Sequence, residues 1–88
     1  MKYRVVVTVK DVKGHCDAGH KAGDTFDITG PIAKGRLCNS AFVSMFPHYF
    51  AMRFGAELPW SEGDKVLVAC PDAKNPVIFE MRRERIPE

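Results

Sequence analysis

The sequence predicts an α+β domain: a small four-stranded, mainly antiparallel sheet in the order β-β-α-β-β, with a kinked, aromatic-rich helical segment packed on one face. Three observations lead there. Polar and apolar residues alternate near both ends of the chain, apolar residues recur at helical spacing in the middle, and Gly, Pro and Asp cluster wherever the period changes.

Residues 2–12 form the clearest strand. Tyr3, Val5, Val7 and Val9 fall on one face and Arg4, Thr8 and Lys10 on the other, with β-branched enrichment. Val6 and Val12 break strict alternation, which predicts partial cover on the second face. Gly14 to Gly23 reads as a loop dense in Gly, His and Asp. Asp24 to Thr29 alternates again and is the second strand, with Phe26 and Ile28 on one side. Gly30-Pro31 and Gly35 mark another loop.

From Ser40 onward, apolar residues at 42, 45, 46, 49, 50 and 54 follow the spacing of one helical face. Asn39 or Ser40 can cap the helix N-terminus. Pro47 lacks an N–H and disfavours α geometry at Phe46, so a kink or two short helices are expected there. Gly55 is placed to end the segment. Lys65 to Cys70 is the third strand and Val77 to Arg83 the fourth. The turn Pro71 to Asn75 makes them a hairpin.

Eighty-eight residues fit one domain spanning 1–88, and 45% hydrophobic with 27% charged residues excludes a disordered tail. A net charge of +2 does not argue for nucleic acid. The Arg82, Arg83 and Arg85 cluster, interleaved with Glu80 and Glu84, reads as a solvated strand end. No apolar run reaches the length of a membrane span, and the alternating start is unlike the apolar block of a signal peptide. A cytoplasmic location is therefore expected, with no nucleic-acid or membrane partner. Nucleotide-loop, zinc-protease and hydrolase signatures do not occur, so no reaction is assigned.

Most aromatics (Phe42, Phe46, Tyr49, Phe50, Phe54 and Trp60) crowd into the helix and its exit. They could line a ligand pocket, but periodic apolar stripes are packing surfaces, so core plus oligomer interface is the expected role. His48 is expected at the surface or an interface.

The chemistry-bearing residues are Cys16, Cys38 and Cys70, each at a junction between elements. A reducing compartment argues against disulfides. With His20, four residues from Cys16, they make up a Cys₃His set that would satisfy tetrahedral zinc, and three thiolates would also suit an iron–sulfur cluster. The spacing itself is weak, because no Cys-x-x-Cys pair occurs. Two other readings stand beside this one. Cys38 at a helix start, or Cys16 beside His15, could be a reactive thiolate. Alternatively the thiols are unlinked, with Cys70 continuing the apolar run of its strand.

The motifs Cys16-x-x-Gly19-His20-Lys21-x-Gly23-Asp24, Cys38-x-Ser40-Ala41-Phe42, Arg53-Phe54-Gly55, Pro59-Trp60 and Ala69-Cys70-Pro71-Asp72 span nearly the whole chain. Together they resemble an uncharacterised family of small single-domain proteins of about this length in bacteria and archaea. The resemblance implies a stand-alone cytosolic protein and supplies no activity. All three cysteines and His20 fall inside its motifs, which favours a joint site and draws in Arg53 and Trp60 as pocket or interface residues.

The leading expectation is thus a metal- or iron–sulfur-binding protein using Cys16, Cys38 and Cys70, with His20 as candidate fourth ligand, in a structural or redox role. Its rival is a metal-free oligomeric module that docks a partner protein or small ligand through the aromatic helix. A homo-oligomer is expected in either case.

Overall fold

A computed structural model describes residues 3–29 and 36–86. Among these the chain forms β1 (Tyr3–Val12), β2 (Thr25–Asp27), α1 (Asn39–Arg53), β3 (Lys65–Ala69) and β4 (Val77–Arg85). The strands make one antiparallel sheet in the order β2-β1-β4-β3, and α1 packs across one face against β1, β3 and β4. This is the expected β-β-α-β-β arrangement. The loop expected around Gly30, Pro31 and Gly35 lies outside the described residues.

In β1, Val5, Val7 and Val9 point into the core and pair with Arg83, Met81 and Phe79 of β4. The register shifts between Val9 and Asp11. A bulge adds one residue and resets which side faces in, and Val12 accordingly packs against the core three residues after Val9. The break in alternation at Val12 is therefore the bulge itself, while Val6 lies before it in regular register and is half-buried on the second face.

β2 is shorter than its pattern predicts, because side chains end the ladder. Thr29 Oγ1 accepts the Val5 N–H at 2.8 Å, and Asp27 Oδ1 accepts the Thr29 N–H at 2.9 Å. These short-range bonds compete with strand pairing.

The middle segment is one helix running through Pro47, rather than two. Ala41, Met45, Tyr49 and Met52 bury its sheet-facing side on both flanks of the proline, and this anchoring carries the helix past the missing hydrogen bond. Its N-cap is Cys38, not Asn39 or Ser40, and no side chain bonds the first turn. The exit follows the sequence closely. Gly55, at φ +87°, donates its N–H to Met52 O at 3.1 Å, and Ala56 donates to Ala51 O at 3.0 Å. That pair of bonds is the Schellman closure that glycine permits. Ser44 Oγ donates to Ala69 O at 3.2 Å, which pins the helix to edge strand β3.

The arginine cluster divides. Arg85 is exposed and Arg82 pairs with Glu84, but Arg83 is only 8% exposed. Its Nε donates to Asp64 Oδ1 at 3.0 Å and its Nη1 to Ala56 O at 2.6 Å, while its guanidinium lies over the Tyr3 ring. A solvated strand end is thus the wrong description of Arg83, because the helix exit brings carbonyls and a carboxylate to it.

No helix among the described residues is long and apolar enough to cross a membrane.

Candidate thiol cleft

The bend after β1 and the β3–β4 turn are tied together at one end of the sheet. Lys13 N–H donates to Pro76 O at 2.9 Å, and His15 N–H donates to Asn75 Oδ1 at 2.9 Å. Asn75 is held in place by Asp72, whose Oδ1 accepts the N–H groups of Lys74 and Asn75 at 3.1 and 3.2 Å. This is the turn chemistry that Asp favours. Gly14 makes the approach feasible. It sits at φ +92°, and a Cβ there would run into Asn75 Oδ1.

This crossing brings the Cys16 loop and the end of β3 to the walls of one cleft. Cys16 opens a tight turn in which Gly19 N–H donates to Cys16 O at 2.9 Å. Cys70 follows β3, and its Sγ accepts the Val77 N–H at 3.3 Å while facing Asn75 O at 3.9 Å. The third cysteine comes from the helix. Cys38 has extended backbone angles, and its carbonyl accepts the Phe42 N–H to start α1.

Cys16, Cys38 and Cys70 all line one open cleft of about 350 Å³, with His15, Asp17, Ser40, Asp72 and Asn75 among the other walls. All three are free thiols and half-buried. On one wall, His15 Nε2 lies 3.2 Å from Asp17 Oδ1.

The fourth predicted residue stands elsewhere. His20 does not line the cleft. It is 6% exposed, packed edge-on against Phe26 and Phe79, and its Nε2 accepts the Cys38 N–H at 3.1 Å. The ring supports the backbone of a cleft residue from behind. Among the described residues, no three His, Cys, Asp or Glu side chains stand close enough together to hold one metal ion. The thiols share a cavity without being drawn into a coordination sphere.

Sequence reasoning nominated the three thiols and missed the Asp72–Asn75 hub that ties the Cys16 loop to the turn after Cys70. The signal for it was the turn-forming Asp72 and Asn75, which read locally as an ordinary hairpin. Arg53 and Trp60 lie outside this cleft. Trp60 is exposed and meets His48 edge-on, while Arg53 Nη1 donates to Tyr49 Oη at 2.8 Å.

Compared with known proteins, the chain matches no family model, no curated protein and no solved structure.

Proposed function

We propose that this protein binds a soft metal centre, zinc or an iron–sulfur cluster, through Cys16, Cys38 and Cys70. One observation carries the reading: three cysteines far apart in sequence line the same cleft. Thiolate is the common ligand of zinc and of iron–sulfur clusters, and a small domain gains folding energy by clamping separate loops onto one centre. The Cys16 and Cys70 loops are joined through Asn75, whose Oδ1 accepts the His15 N–H and whose carbonyl faces Cys70 Sγ. A centre would have to draw this pair and Cys38 closer, since among the described residues no three such side chains stand within reach of one ion.

In this reading His20 is a positioning residue rather than the fourth ligand, since its Nε2 already accepts the Cys38 N–H. The fourth position then falls to His15, Asp17 or Asp72, which also line the cleft, or to a non-protein ligand. A zinc ion would make a structural clamp, and a cluster would give redox or sulfur chemistry. The resemblance to the small bacterial and archaeal family belongs to the same proposal, because its motifs include the three cysteines.

Anaerobic purification followed by elemental analysis and visible spectroscopy tests this. The expected result is a stoichiometric centre per chain, lost in Cys16→Ser, Cys38→Ser and Cys70→Ser alike. Colourless, metal-free protein that stays so after loading with zinc or iron and sulfide, with three freely titrating thiols, would sink it.

A further inference from the structure

The outer side of α1 carries an uncovered row of apolar side chains. Val43 is 73% exposed, Phe46 46%, Phe50 52% and Phe54 52%. Their spacing places them on one stripe, opposite the buried stripe of Ala41, Met45, Tyr49 and Met52. The rings already touch in series, Phe46 to Phe50 at 5.9 Å and Phe50 to Phe54 at 5.1 Å between centroids. From Asn39 to Met52 the helix contains no Asp, Glu, Lys or Arg. A helix apolar on both sides is one that is buried on both sides.

We propose that a second copy of this chain covers the row, with the two α1 helices packed antiparallel about a two-fold axis level with position 48. This surface stands independently of the metal reading.

The spacing is what selects a copy of the same chain. Phe46 and Phe50 lie two residues to either side of position 48, and Val43 and Phe54 lie five and six residues away. In an antiparallel pair Phe46 therefore meets the partner's Phe50, and the small Val43 meets the partner's large Phe54. A two-fold interface demands this kind of self-matching. Charge agrees with it. The first charged residue of the helix is Arg53 at its end, so antiparallel copies hold their arginines at opposite ends and no like charges face one another.

The row supplies the apolar centre of such an interface, and flanking residues must supply the rest. An aromatic side chain carries roughly 150–250 Å², so the half-exposed row offers on the order of 400 Å² per copy before flanking residues are added. That is about half of what a standard interface buries on each partner. A membrane surface fits less well, because helices that lie in the interface carry Lys and Arg along their polar face, and this helix has neither before Arg53.

Sedimentation equilibrium of the full chain, with thermal melts as a folding control, tests the proposal. Wild type should be a dimer at micromolar concentration. Phe46→Lys and Phe50→Glu, each at an exposed position, should keep the fold and weaken the dimer at least about 100-fold, since each change occurs twice per interface. An equimolar mixture of the two single variants should dimerise better than either alone, because the antiparallel geometry sets the new lysine of one copy against the partner's new glutamate while the remaining phenylalanines keep their contact. A wild-type monomer at several hundred micromolar overturns the proposal. So does a dimer that ignores both single substitutions, or a mixture no better than either variant alone.

Discussion

The ring nitrogen Nε2 of His20 accepts the backbone N–H of Cys38 at 3.1 Å, which joins the loop ahead of β2 to the residue that starts α1. The bond places the ring proton on Nδ1 in the neutral tautomer. It also satisfies the N–H of a cap residue that has no side-chain cap of its own.

Replacing His20 separates packing from hydrogen bonding. His20→Ala removes a ring that is 6% exposed and leaves the Cys38 N–H without its partner. We expect a loss of about 2–4 kcal/mol in urea unfolding. His20→Phe keeps the edge contacts with Phe26 and Phe79 and loses only the acceptor, so it should cost about 1–3 kcal/mol. Equal losses in both variants would mean that the hydrogen bond carries all of the effect.

The Gly14–Asn75 crossing should be sensitive from the glycine side. Gly14→Ala meets a positive φ and the Asn75 side chain together, so it should cost about 1–2 kcal/mol or more and loosen the Cys16 loop. Asn75→Ala removes the obstacle and two exposed side-chain hydrogen bonds, to His15 N–H and to Asp72, for about 1 kcal/mol. Alkylation of Cys16, followed by mass spectrometry, should accelerate in both.

Arg83 should rank among the costliest single positions. Arg83→Met strips the guanidinium from Asp64 and from the carbonyl of Ala56, and a loss of about 2–3 kcal/mol is expected because those partners lie close enough to the surface to be rehydrated. Asp64→Asn leaves Arg83 with its carbonyl acceptors and should cost less. The order of the two midpoints in guanidinium chloride checks this.

Pro47→Ala should stabilise the protein. Pro47 is an exposed residue inside a continuous helix, where it removes a hydrogen bond at no gain in burial. Alanine there should add about 1–3 kcal/mol, measured as a higher melting temperature. A drop would assign the proline ring a packing role.

What the sequence disclosed, and what it hid, divides along the range of the interactions. Every strand and the helix were legible because alternation and helical spacing are local, and Gly55 marked the helix exit through its own backbone freedom. The Val9-to-Val12 break was visible, but only the pairing with β4 identifies it as a bulge. His20 looked like a ligand because it lies near Cys16 in sequence. Its role is set by Cys38, which reaches it through the fold. Arg83 looked solvated because nothing in its neighbourhood announces that the helix exit and Asp64 will close over it. The shared cleft of Cys16, Cys38 and Cys70 depends on long-range pairings such as His15 with Asn75 and Cys38 with His20, and no local pattern reports those.

The sheet's middle has a consequence for how the chain acquires its structure. β1 and β4 pair along nearly their whole length, from Tyr3 opposite Arg85 to Val12 opposite Val77, so the central ladder joins the two ends of the described chain. Such non-local pairing is slow, because a long loop must close before any of its contacts form. During synthesis, Val5, Val7 and Val9 must wait, without their main partners, until Phe79 and Met81 have left the ribosome. A nascent chain stopped before β4 should therefore be recognised by chaperones and cut readily by proteases, and only the last few residues of β4 should convert it to a resistant form.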